Sequence, residues 1–581
     1  MKTTHSRFED RVRRARLILC AALLLLAPSS LLAAWTPLAN QAPGGVGLML
    51  LLSDGTVLAA SRVTDPNEVP TSSGSRIWYR LTPNLQGSYV NGTWTTLNSM
   101  QDTRLWYSSA VLQDGRVLVA GAEYGTGGSS AEIFDPVSGQ WTTTPAPGVP
   151  LSDSVSKILR DGRVMVGPAS GGTTRIYNPA TNAWSAGPTP QSSANLNEVT
   201  WLKLPDDSIL TVPTNSQVSQ RFLQTTNQWI TDGNVGVNLY SSVGSEIGGA
   251  FLLPNGQAFF LGGDNTTAIY TPSGNNNPGT WVQGPNIPNV RNSSGTFVPG
   301  GAPDAGAAMM VNGRILCALS PQMFANPAPP PTNIFPTPTS FAIYDPVANS
   351  FATINGPTGV TVNVPAYQNL MLDLPDGTVL YANWGTQLYT YAPDTAPAPL
   401  AAGKPAITGI SNNPDGTFHL TGTKLNGISE GASYGDDAQM DSNYPIVRIT
   451  NSSGSMYYAR TFNWSSTGVS TGSATVSTEF ALPTAVYRGG NISYSLVVVA
   501  NGISSDPVTF LGPVWVDFNY NGATQLGTFS FPYRTLAQGV AGVSSGGSIF
   551  LSGFRTTSET APAISKPLSI VAIDGPATIG Q

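Results

Sequence analysis

The stretch WYSSAVLQDGRVLVAG (residues 106–121), followed by AEIFDP (131–136) and QW (140–141), decides the fold. One apolar run meets a tight Asp114-Gly115 turn and a second returns from it, which is a strong local signal for a β-hairpin. A third run ends at Phe134-Asp135-Pro136, and a fourth carries Trp141. The unit therefore reads as four short antiparallel strands. Its turn recurs as Asp54-Gly55, Asp161-Gly162, Asp206-Asp207, Asn255-Gly256, Asn312-Gly313 and Asp376-Gly377. The third-strand ending recurs at Tyr177, Tyr270, Tyr344 and Tyr391, each two residues before a proline. Fourth-strand aromatics are Trp94, Trp141, Trp184, Trp229, Trp281 and Phe351. Seven turns but six fourth strands leave one strand missing. Ala34-Trp35-Thr36-Pro37-Leu38 matches Thr93-Trp94-Thr95-Thr96-Leu97, so the N-terminal strand is expected to complete the last unit. That closes a ring of seven blades over residues 35–400 with no long open edge.

Composition agrees. The 581 residues include 62 Gly and 47 Pro, only 10% are charged, and 40% are hydrophobic, as expected for short strands punctuated by turns around a real core. At the start, Arg11, Arg13, Arg14 and Arg16 precede the apolar run 17–27, and small residues end at Ala33-Ala34. Residues 1–34 read as an export signal, placing the protein outside the cell or in a periplasm. Its removal takes away six of the 27 basic and two of the 33 acidic residues, leaving a net charge near −10. Nucleic acid is then an unlikely partner on charge alone, because no basic patch remains to neutralise phosphates. No later run is long and apolar enough to span a bilayer.

Pro405 opens a second pattern. Short alternating strands over 405–511, separated by turns rich in Asn, Gly and Ser, read as an immunoglobulin-like sandwich. Residues 512–581 change again. Pro532-x-x-Thr535-Leu536 starts a helix, Gly546-Gly547 opens a strand, and Lys566-Pro567 opens another, like the first rungs of a parallel β-helix. The fold class expected is all-β: propeller, sandwich, then a short β-helix-like module.

The blade unit resembles a kelch repeat. A propeller followed by a sandwich that contains Tyr434-Gly435-Asp436-Asp437 and, further on, Tyr457-Tyr458-Ala459-Arg460 resembles the galactose oxidase and glyoxal oxidase family. That resemblance implies copper held by two Tyr and two His, with one Tyr cross-linked to a Cys. The residues depart from it. Counting eight residues back from each turn marks equivalent starts of the innermost strands. Val46 stands in the first blade, where the family has the Cys; Trp106 and Tyr107 stand where it has the cross-linked Tyr. Tyr367-Gln368 replaces its Tyr-His pair, and no His lies near 430–445. After export one His (His419, on a strand) and one Cys (Cys317, in an apolar strand) remain. Copper(II) favours imidazole, so copper is disfavoured and no cofactor is expected.

The same count lands on Asp153, Glu198 and Asp304 in blades 3, 4 and 6, with Glu246 one residue away in blade 5. Together with Trp106, Tyr107, Tyr367 and Gln368 they form the candidate ligand-binding ring at the channel mouth. Carboxylate oxygens suit a hard cation such as calcium, and aromatic faces suit sugars. The expected function is a non-catalytic binder of extracellular glycan or protein. The alternative is an enzyme using another metal or the axial carboxylates.

Overall fold

A computed structural model describes residues 34–62, 74–169, 171–191, 196–214, 216–326, 332–394, 398–435 and 440–580. Residues 1–33, on which the expected export signal falls, lie outside the described residues. Seven four-stranded units are present, and the chain is nearly all β. Blades 1 to 6 run in order from the axis outward. Blade 7 takes its three inner strands from Leu370–Asp373, Val379–Ala382 and Tyr389–Ala392, and its outermost from Ala34–Pro37. Trp35 pairs with Tyr391, so the first and last strands of the propeller close the ring.

Local chemistry explains the regularity. In all seven hairpins the turn Asp or Asn side chain accepts the backbone N–H two residues on, at 3.0–3.1 Å. Six of the turns then place Gly in the left-handed region that a residue with a Cβ rarely adopts; Asp207 adopts it in blade 4, at φ 64°. The outer strands AWTP, TWTT, QWTT, AWSA and TWVQ share one burial pattern, with only the Trp turned inward. Each outer aromatic of blades 2 to 7 lies opposite the aromatic of the third strand: Phe134–Trp141, Tyr177–Trp184, Phe222–Trp229, Tyr270–Trp281, Tyr344–Phe351 and Tyr391–Trp35. Their ring centroids are 4.8–5.4 Å apart, and such a pair contributes about 0.5–1.5 kcal/mol beyond area burial.

Beyond the ring, eight antiparallel strands between Ala406 and Leu511 enclose Phe418, Leu420, Val447, Ile449, Phe480, Leu496 and Val498. Val514–Val516, Ser548–Ser552 and Ser569–Ile573 then pair in parallel. Trp515, Phe550 and Ile573 of this tail pack into the same core as Phe418 and Phe480, so the tail docks on the eight-stranded unit.

One segment of that unit enters the propeller. Ala432–Ser433 pairs with Ala307–Met309, the innermost strand of blade 6. Ser433 Oγ accepts the Ala250 N–H of blade 5 at 3.2 Å, and the Tyr434 hydroxyl donates to Tyr367 O of blade 7 at 2.9 Å. A buried charge cluster anchors the insertion. Lys157 Nζ of blade 3 lies 3.1 Å from both Glu430 and Asp441, the Lys203 N–H of blade 4 donates to Glu430 at 3.0 Å, and Lys203 Nζ donates to Thr467 O at 2.7 Å.

Candidate functional site

Entry into the innermost strands is strained at matching places. Trp106, Asp153, Glu198 and Asp304 all carry left-handed backbone, with φ between 45° and 54°. Each costs about 1 kcal/mol or more for a residue with a Cβ, so the surrounding contacts must hold it there. In blade 5 the strain sits at Ser245. The register there slips by one residue between Ile247 and Ala250. A bulge of this kind adds one residue to the count, which is why Glu246 comes level one position early. The same slip occurs in blade 1 between Val46 and Met49. Counting there points to Gly45 rather than Val46 as the equivalent position.

These starts converge on a cavity of about 240 Å³ at the mouth of the axial channel. Trp106, Asp153, Glu198, Glu246, Asp304 and Tyr367 line it, joined by Glu123, Tyr124, Phe335 and Tyr434. Carboxylate oxygens of Glu198, Glu246 and Asp304 lie within 4.8 Å of one another. Aromatic rings in the lining contact one another: Trp106 is 5.5 Å from Tyr124 and 6.3 Å from Tyr367, and Phe335 is 4.9 Å from Tyr367. Negative charge is felt at the rim, where the Tyr124 hydroxyl is pushed above its ordinary range by Glu123 first, then by burial and by Asp153. A second cavity of about 40 Å³ adjoins it, sharing Trp106, Tyr367 and Tyr434 and lined by Arg62, Arg104, Tyr107 and Trp384 among others.

Two expected members stand elsewhere. Tyr107 follows the left-handed Trp106 and leaves the mouth. It is buried edge-on against Trp78, with ring centroids 6.5 Å apart, and lines only the small cavity. Gln368 lines neither cavity. Blade 7 is entered through a 3-10 turn, Ala366–Gln368, instead of a left-handed residue, and this rotates the facing position to Tyr367. Asn369 fixes the turn: its Nδ2 donates to Thr339 Oγ1, Pro365 O and Ala366 O at 2.9–3.0 Å.

Four lining residues escaped the counting rule. Glu123 and Tyr124 follow the second strand of blade 2, Phe335 lies in a Pro-rich connection, and Tyr434 arrives on the inserted segment. Only Tyr434 carried a signal, as part of the stretch singled out by resemblance. His419 and Cys317 line neither cavity. His419 Nδ1 pairs with Glu479 at 2.7 Å between neighbouring strands of the eight-stranded unit. Cys317 is fully buried in blade 6, where burial pushes its thiol far above the ordinary range.

No family model matches this chain, and no curated protein matches it. Solved structures do. A structure described as a novel fungal alcohol oxidase with catalytic diversity among the AA5 family, in complex with copper, aligns over 82% of this chain and 98% of its own, at 15% identity and a TM-score of 0.46. A streptogramin B lyase structure aligns over 63% of this chain and 99% of its own, at 11% identity and a TM-score of 0.40. Likenesses of this size carry no argument about activity, which must come from the residues themselves.

Proposed function

We propose that this chain is a secreted, non-catalytic binding propeller that takes an extracellular glycan at the channel mouth. The observation that carries this reading is the cavity itself, which five carboxylates and five aromatic rings line together. Carboxylates accept hydrogen bonds from sugar hydroxyls, and aromatic faces cover the apolar face of a sugar ring. A copper-radical centre does not fit the donor set, because among the described residues neither cavity is lined by imidazole or thiol, and copper(II) favours imidazole. The clustering of Glu198, Glu246 and Asp304 supports a second reading, in which a hard cation such as calcium assists the glycan.

A panel of immobilised glycans probed with residues 35–581 tests the proposal. Binding to a defined subset, weakened tenfold or more by Trp106→Ala or Glu198→Gln in folded protein, is expected. Binding that survives both substitutions, or peroxide release from alcohols, aldehydes or sugars by copper-loaded protein, would overturn it.

A further inference from the structure

Three properties of the mouth cavity narrow the ligand beyond "glycan", and the narrowing rests on that reading. The first is size. At about 240 Å³ the cavity lies just below the roughly 300–1,000 Å³ typical of drug-sized sites. It holds one sugar ring, with the remainder of a chain outside. The second is charge. Among the described residues its lining contains five carboxylates and no lysine, arginine or histidine. Arg62 and Arg104 line only the adjoining small cavity, where Arg62 stacks on Trp384 at 4.1 Å and Arg104 pairs with Glu132 at 2.9 Å. The third is the aromatic lining around Trp106, Tyr124 and Tyr367, whose faces attract both an apolar ring face and a positive charge.

An occupant that satisfies all three is specific in its chemistry. A neutral sugar brings hydroxyls but no charge to match the acidic lining. A bare metal ion answers the carboxylates but leaves the rings and most of the volume unused. A quaternary ammonium answers the rings, yet carries no N–H for acceptor-only carboxylates. A sugar with a free amino group brings an ammonium with three donors, several hydroxyl donors and a flat apolar face. We infer that the mouth selects an amino sugar with an unacetylated, protonated amine, which sits among Glu198, Glu246 and Asp304 while its ring lies against Trp106. The cation the three carboxylates bracket is then carried by the ligand.

Isothermal titration of residues 35–581 tests this with three probes: a β-1,4-linked glucosamine tetramer, its fully N-acetylated counterpart and a cellulose tetramer, each with added calcium or with chelator. The glucosamine tetramer is expected to bind at least tenfold tighter than the other two, with or without calcium. Glu198→Gln should erase most of that preference, and Asp153→Asn, also half-buried, supplies a second variant should the first fail to fold. Equal or tighter binding of the acetylated or cellulose tetramer, or an absolute need for added calcium, would overturn the amine inference while leaving the glycan reading standing. Failure of all three probes, and of every sugar on the glycan panel, would overturn both.

Discussion

Asp373 ends the innermost strand of blade 7 with its side chain turned into the junction with the inserted segment. It is 4% exposed, and neither carboxyl oxygen has a hydrogen-bond partner among the described residues. Gly431 packs so closely that a Cβ there would meet Asp373 Oδ2 at 2.9 Å. Burial alone pushes this carboxyl up to about 8. The unfolded chain loses the proton near the ordinary value of about 4, whereas the folded chain keeps it until about pH 8. Folding therefore holds an extra proton between those limits. The associated stability is full below about pH 4, declines as pH rises, and is lost by about pH 8. Four pH units at about 1.4 kcal/mol each set a ceiling of about 6 kcal/mol, and relaxation of the site brings the expected value to several kcal/mol. Asp373→Asn keeps the shape and removes the charge. The variant should match the parent near pH 4 and exceed it progressively up to about pH 8, by about 2 kcal/mol or more. Thermal unfolding of both proteins across this range reads the difference, in which the contributions of other groups cancel. A difference that is constant with pH, or a variant less stable at pH 8, would refute the reasoning.

Trp35→Ala should cost about 3 kcal/mol, because the indole packs on Phe341, Tyr381 and Tyr391 at 4.8–5.3 Å and donates to Asn355 O at 2.8 Å. Thermal unfolding should show the loss, with Val137→Ala, 70% exposed, as an unaffected control. Lys157→Met strands Glu430 and Asp441 without their shared cation, so a loss of about 3–5 kcal/mol is expected. Limited proteolysis should then cut the inserted segment sooner than in the parent. Cys317 should resist thiol reagents in the folded protein and react once denaturant is added, since it is fully buried.

The ring was legible because each blade repeats a local rule. An Asp or Asn turn sets the hairpin, and one inward aromatic per outer strand sets the register, both within a span of a few residues. The acids were legible for the same reason, since a fixed distance from the turn fixes the facing side. The rule failed where backbone geometry departs from the repeat. The bulges in blades 1 and 5 shift the count by one, and the 3-10 entry of blade 7 favours Tyr367 over Gln368. Tyr434 escaped for a different reason. It reaches the mouth because a segment 40 residues beyond the last blade strand, from Ala392 to Ala432, pairs with blade 6, and nothing local encodes that contact. Asp373 carries no signal in the repeat, and its burial follows from the inserted segment packed over it.

The most direct test of the account is a crystal structure of residues 35–581 with the tightest-binding sugar. The account predicts the ring against Trp106 and donors about 2.7–3.2 Å from the carboxylates of Glu198, Glu246 or Asp304. A sugar bound outside the mouth, with that cavity unoccupied at saturating ligand, would contradict it.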